Sequence, residues 1–306
     1  MSGSGRLLAA GVGVLMVLAA PGCSSSASAN SAHDAPTPKW TTVWSEYFNG
    51  AAGTGVNTKY WDYITGQGVF GTGEVEAMTS SPSNIHLDGK GHLDITALGQ
   101  DSAGSTATGW TSGRLETKRL FGAPTGGEMM VSASILQPDP AHGVGYWPGF
   151  WMLGPGQWPT DGEIDIMEDV DGISNESATL HCGNLTQQNS DGTTGPCHEG
   201  TGLTSGLQPC SACQTAFHTY SVIVDRRNAS NEQIRWYVDG REFFSVSEAR
   251  IGQSVWSAAV DHGFAILLSL AIGGRFPDLR CGCTSPTAQT STQGTMVIRN
   301  VTVSTN

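Results

Sequence analysis

Along the chain, apolar residues recur in short alternating or continuous runs, and no stretch holds a helical period over three turns. The runs HLDITAL, MMVSASILQ, GEIDIMEDV, ATLHC, HTYSVIVDRR, IRWYVDG, FAILLSLAI and MVIRNVTVS are bounded by Gly, Pro, Asn or Asp. Side chains of a pleated strand point alternately to its two faces, so each run predicts a strand and the series predicts an all-β sandwich with long loops. Two runs say more. Ala265 to Ile272 is apolar nearly throughout, as expected of a strand covered on both faces, and Ile234 to Val238 followed by Asp239-Gly240 predicts a hairpin arm. Gly183 to Thr215, rich in Gly, Thr, Ser and Gln, predicts a long loop tethered by its cysteines. No internal repeat and no second linker follows Pro38, so residues 39–306 read as one domain, long enough to bury one large core.

The N-terminus breaks this pattern. Arg6 precedes an apolar run from Leu7 to Ala20, too short to span a bilayer, and a polar Ser/Ala-rich stretch follows it. Residues 1–38 therefore read as a signal peptide or lipoprotein signal with a flexible linker, and the chain as secreted or anchored to the outer face of the cell membrane. Cys23, in the context AAPGC, loosely matches a lipobox with Ala20 where Leu is usual; a lipid anchor there and simple release both remain open. A formal charge of −12 repels nucleic acid and anionic membranes, so a neutral polymer is the more natural partner; the default is a monomer without cofactor. Cys182, Cys197, Cys210, Cys213, Cys281 and Cys283 form an even set, which in an exported chain points to disulfides in one of about fifteen connectivities. The rival is a zinc site built on the CxxC of Cys210 and Cys213 with His181, His198 or His218 nearby; a single CxxC in an oxidising compartment disfavours it.

The chemistry concentrates in DGEIDIMEDVDG, Asp161 to Gly172. On a strand, Glu163 and Asp165 share one face while Ile164 and Ile166 enter the core; strict alternation would then bury Glu168. A buried unpaired carboxylate is costly, so a one-residue bulge near Met167 is predicted, returning Glu168 to the face of the other two acids. Crowded acids cannot all ionise freely, and one pKa rises while another is held down. Glycoside hydrolysis needs that division, with one carboxylate attacking and one protonated carboxyl donating, and a separation of roughly 5 to 7 Å suits the retaining course. The competing explanation is a solvated acidic face or a calcium loop, but no acid follows DVDG at EF-hand spacing. Trp147, Phe150 and Trp151 in GYWPGFWMLG, with Trp158 beyond, serve either as core filler or as platforms for sugar rings.

The string GEIDIME, preceded by YWPGFWML, closely resembles the signature of glycoside hydrolase family 16, and WSEYFNG, NIHLDGKGHLDITA, SGRLETK, FHTYSV, IRWYVDG and LLSLAIGG extend the resemblance across nearly the whole of residues 39–306. The resemblance implies a jelly-roll β-sandwich with a concave substrate cleft, Glu163 as nucleophile, Glu168 as acid/base and Asp165 as the carboxylate tuning the pair. The extra Met167 makes the chain look like the bulged, laminarinase-like branch, hence an endo-1,3-β-glucanase acting on laminarin-type β-glucan. The other substrates weighed are a β-1,3-galactan, a mixed-linkage glucan and transfer to sugar; the reading from another class is a non-catalytic glucan binder. By the same matching, Trp147 and Trp151 line the donor side of the cleft, Arg114 faces sugar hydroxyls, and His181 is similar to a family histidine beside the catalytic strand; Trp158, from its place just before the acidic strand, is a further candidate for substrate binding. The plainer roles are a structural His beside a disulfide for His181, and an ion pair with Glu116 or Glu128 for Arg114.

The chain departs from the family pattern at Phe70 and Thr72, near which relatives carry Trp and a substrate-touching Asn, and at Ser269, where Asn is common. Arg299 stands where many relatives have an Asp that helps bind calcium. A pairing of Arg299 with Glu46, and no metal, is the expectation.

Overall fold

The structure, a computed structural model, describes residues 39–69, 71–100 and 109–306; the apolar N-terminal segment, Cys23 and Phe70 lie outside them. The predicted runs pair, almost wholly antiparallel, into two sheets. One runs Arg241–Ser247, Gln233–Val238, His218–Asp225, Glu128–Leu136, Gln293–Thr305, Leu93–Leu98, Thr111–Ser112, Ala77–Met78, Gly66–Gln67, with Thr41–Glu46 and Ile85–Leu87 paired beside it. The other runs Leu203–Thr204, Asn175–His181, Glu163–Glu168, Tyr146–Leu153, Ala265–Ile272, Arg114–Thr117, Trp61–Tyr63. Sequence neighbours such as Glu163–Glu168 and Asn175–His181 lie side by side, whereas Ala265–Ile272 returns from far along the chain to pair with Tyr146–Leu153. This is the expected all-β jelly-roll sandwich.

Alternation explains the packing. On Tyr146–Leu153 the even residues Tyr146, Phe150 and Met152 are fully buried in the core, which places Trp147, Gly149 and Trp151 on the outer face. Facing Tyr146, Phe150 and Met152 across the sandwich are Val131, Ala133, Tyr220, Val222, Trp236 and Val301, all buried. Ala265–Ile272 is buried at every position, as its sequence predicts. Its inner face meets the core through Ile266, Leu268 and Leu270, and on the outer face Ala265 and Leu267 pack with Trp151 and Leu153. A Leu side chain so covered contributes about 1.5–3 kcal/mol.

The hairpin is also as read. Val238 pairs with Arg241, and Asp239 and Gly240 both take positive φ, 50° and 77°, the turn a right-twisted two-residue hairpin requires. Three helices, Glu248–Ile251, Gln253–Val260 and Arg275–Cys281, were not legible, because the longest has 8 residues and a 3.6 period needs more turns to show itself.

The six cysteines pair locally as Cys182–Cys197, Cys210–Cys213 and Cys281–Cys283. The thiols of the zinc alternative are thereby spent, and His218 and His198 face Asp239 and Asp191 at 2.6 and 3.0 Å. The expected Arg299–Glu46 pair does not form. A bulge between Ile298 and Asn300 turns Arg299 outward, its guanidinium 4.0 Å from the ring centroid of Phe217, while one oxygen of Glu46 accepts the backbone N–H groups of Tyr47 and Phe48, each at 3.0 Å. The cation finds an aromatic face nearer than the carboxylate, which caps its own turn.

Several carboxyls are buried in this framework, Glu76 and Asp169 among them. Glu76 is buried, and although its Oε2 accepts the N–H of Ile272 at 2.8 Å, burial pushes its carboxyl up to about 8. Asp169 is likewise pushed up to about 8 by burial. Between the ordinary carboxylate range and about 8 the folded chain keeps protons that the unfolded chain releases, so their contribution is full at acidic pH and is lost as pH rises. Asp225 has the opposite sign: against a burial that would raise it, hydrogen bonds from Arg227 hold it down to about 2, and its contribution is lost only as pH falls toward that value. Melting temperature followed from pH 3 to 9 is therefore expected to peak near pH 5 and decline toward pH 8, and Glu76→Gln is expected to make that alkaline decline shallower.

Candidate active site

The acidic strand Glu163–Glu168 lies between Tyr146–Leu153 and Asn175–His181. Its register against the first runs Trp151↔Asp165 and then Phe150↔Met167, and against the second Asp165↔Thr179 and then Glu168↔Ser177. Ile166 and Met167 together therefore oppose single residues, which is the predicted bulge. Ile164, Ile166 and Met167 are all fully buried in the core, and Glu163, Asp165 and Glu168 share the outer face. Where the ladder breaks, the main-chain carbonyl of Asp165 accepts Nε1–H of Trp236 at 2.8 Å, a fully buried indole reaching across from the other sheet.

The three carboxyls do not share a common state. Burial, with the nearby Glu168 and Glu163 charges, drives Asp165 well above the usual range, and it is hydrogen-bonded to Glu163. Glu168 is pushed up to about 7, mostly by burial; Nε1–H of Trp147, donating to its Oε1 at 2.8 Å, and the positive charge of His181 oppose the rise. At neutral pH Glu168 therefore exchanges a proton readily in either direction, the property a general acid that must also act as base requires.

His181 is in register with Glu163. Its Nε2 lies 3.5 Å from Asp165 Oδ2 and its Nδ1 2.7 Å from Glu199 Oε2. It stands both in the site and beside the Cys182–Cys197 bridge, so the two readings of this histidine are one arrangement. Glu163, Asp165 and His181 bring ligand atoms within 4.8 Å of one another; Asp165 is hydrogen-bonded to Glu163, and His181 Nδ1 is engaged by Glu199.

The aromatic residues divide by position. Trp147 touches Glu168 and packs edge-on against Phe276, with centroids 5.8 Å apart. Trp151 is buried; its Nε1 donates to Ser269 Oγ at 3.0 Å and Arg114 lies over its ring at 4.8 Å. Ser269, noted for standing where Asn is common, thus anchors this indole. Arg114 also donates to the Val69 carbonyl at 3.4 Å, whereas Glu128 is engaged on the other sheet by Arg227 and Arg235. Gly149, opposite Glu168 and Ser269, has no room for more: a Cβ there would stand 3.1 Å from Ser269 Oγ and 3.2 Å from Trp151 Cδ1. Trp158 is 42% exposed with its ring 5.6 Å from His181, free to offer a face. Thr72 donates its hydroxyl to Glu74 at 2.9 Å, a bond internal to its own loop.

Two members of the arrangement were missed in the sequence. Trp236 lies in IRWYVDG, read only as a hairpin arm, and nothing in that run hints that its N–H reaches the acidic strand. Glu199 lies in the cysteine-rich loop, and no local pattern marks it.

The profile of the XgeA-like catalytic GH16 domain matches residues 61–233. Among solved structures, the endo-1,3-beta-glucanase from Streptomyces sioyaensis superposes with a TM-score of 0.77 and 40% identity over 89% of this chain and 99% of that one. The glucan endo-1,3-beta-glucosidase A1 of Niallia circulans is 28% identical over 256 residues, 76% of this chain and 34% of that protein, so the chain spans about a third of that relative's length. The beta-glucanase of Rhodothermus marinus is 28% identical over 250 residues, 78% of this chain and 77% of its own.

Because Trp147 favours the ionised form of Glu168, Trp147→Phe is expected to move the Glu168 titration above its present value of about 7. Carboxyl-detected carbon NMR of selectively labelled protein would read the shift, and an unmoved or lowered titration would contradict the role given to this indole.

Proposed function

Since the chain belongs to glycoside hydrolase family 16, we propose that it is a retaining endo-1,3-β-glucanase whose catalytic carboxyls are Glu163 and Glu168. One arrangement carries the assignment of roles: the bulged strand puts Glu163, Asp165 and Glu168 on one outer face, with Asp165 hydrogen-bonded to Glu163 and Glu168 pushed up to about 7 by burial. The substrate class is supported by the endo-1,3-beta-glucanase of Streptomyces sioyaensis, with 40% identity over nearly all of its length.

The reaction follows from these states. A Glu163 oxygen bonds to the anomeric carbon as the glycosidic C–O bond breaks, and the Glu168 proton passes to the leaving oxygen. Glu168, now a carboxylate, takes a proton from water; the water oxygen bonds to the same carbon and Glu163 is released, so two inversions leave the configuration retained. Asp165, hydrogen-bonded to Glu163, tunes and orients that carboxyl. Trp147 and Trp158 offer faces to sugar rings, while Trp151, backed by Arg114 and Ser269, forms the floor of the donor side. Arg114, over that ring, serves the sugar hydroxyls. Export is part of the reading and is supported by the apolar N-terminal segment and three disulfides.

Reducing-sugar release from laminarin, lichenan, β-1,3-galactan and agarose tests this. Laminarin is expected to be cut fastest, with β-anomeric product appearing first by proton NMR, and Glu163→Gln and Glu168→Gln are each expected to lower kcat about 10³-fold or more. Full activity in either variant would sink the assignment, and an inert wild type would favour a glucan-binding protein.

A further inference from the structure

The loop that follows His181 turns back on the site it leaves. Cys182 and Cys197 close it, and two residues later Glu199 is held in a narrow turn by backbone hydrogen bonds in both directions with Thr194. The Glu199 side chain is wholly buried, and both of its oxygens are used: Oε1 accepts the N–H of Cys182 at 2.8 Å and Oε2 stands 2.7 Å from His181 Nδ1. Gly202, with φ of 70°, lets the loop close over the imidazole; a Cβ there would lie 2.9 Å from His181 Cε1.

We propose that Glu199 is a positioning residue for the hydrolytic reaction, clamping His181 through Nδ1 so that Nε2 is presented to Asp165 as a fixed positive charge beside the carboxyls. The proposal rests on the reading of Glu163 and Glu168 as the reacting pair.

The argument is one of charge and geometry. A carboxylate with no solvent exposure is tolerated only when paired and hydrogen-bonded, and among the described residues the side chain of Glu199 is hydrogen-bonded by the Cys182 N–H and His181. The groups facing His181 are Glu163, Asp165 and Glu168 from the acidic strand, Glu199 from the loop and the ring of Trp158. Burial alone would weaken the hold of His181 on its proton, but the Glu199 hydrogen bond and the surrounding acids reverse this and raise its pKa. The imidazolium in turn lowers the carboxyl of Glu168. Because Glu199 occupies Nδ1, the ring cannot rotate to offer the other nitrogen, and the orientation toward Asp165 is fixed before substrate arrives.

The test pairs a titration that needs no substrate with kinetics. In Glu199→Gln, nitrogen-proton correlation NMR is expected to show the His181 pKa lowered by about one unit or more, a tenfold loss of proton affinity. On laminarin, kcat is expected to fall about tenfold or more with KM changed less than about threefold, and the limb of the pH profile belonging to Glu168 to move up. Glu199→Asp, which keeps the charge on a shorter arm, is expected to recover part of the His181 shift, and His198→Asn, at the exposed neighbour of Glu199, to match wild type. A folded Glu199→Gln whose His181 titrates as in wild type overturns the clamp. A shifted His181 with kcat and pH profile unchanged overturns its part in the reaction. Were the wild type to cut no β-glucan, that failure would belong to the proposed function, and the titration would still decide the clamp.

Discussion

The arrangement depends on one extra residue in one strand. Without the bulge at Ile166 and Met167, the period of two would send Glu168 into the core and Met167 out among the acids. The bulge keeps two apolar side chains packed inward and three carboxyls outward, but it costs a ladder contact at Asp165. Trp236 answers that loss from the opposite sheet, so the position of the acids is fixed by the sandwich as a whole and not by their own strand alone. A buried indole N–H left without its carbonyl would cost about 1–3 kcal/mol, which ties the bulge and the cross-sheet bond to each other.

Much of this was legible from residue pattern, for definite reasons. The face of Glu163 and Asp165 follows from alternation with Ile164 and Ile166, the bulge from the cost of burying Glu168, and the double coverage of Ala265–Ile272 from its unbroken apolar run. The Asp239-Gly240 turn was legible because only a few dipeptides accept positive φ twice. What was not legible depends on distance in sequence. Glu199 meets His181 through a disulfide-closed loop whose pairing was one of many. Arg299 was assigned by its place in the chain, yet a bulge in its own strand turned it onto Phe217.

The tryptophans of YWPGFW show how one short segment can be both core and site. Phe150 and Tyr146 face inward while Trp147 and Trp151 face outward, and each outward indole spends its single donor differently: Trp147 on Glu168, Trp151 on Ser269. Gly149 between them leaves the space that lets the Trp151 ring lie down against the sheet. A sequence in which both indoles were only sugar platforms would not need these anchors, and one in which both were only core would not place them on the outer face.

The inner face of the sheet also bears on the chemistry outside it. Glu176 lies next to Ser177, the register partner of Glu168, and points the other way, into the core, where burial and then the charge of Glu168 push its carboxyl well up. Asp169, one residue beyond Glu168, is raised by the same cause, burial. Burial thus biases both toward the neutral form. Were either ionised, a further negative charge one strand thickness away would raise Glu168 beyond the range in which it can release a proton and take one back. The burial that favours the neutral form of the interior acids is the same burial that makes the sandwich stable.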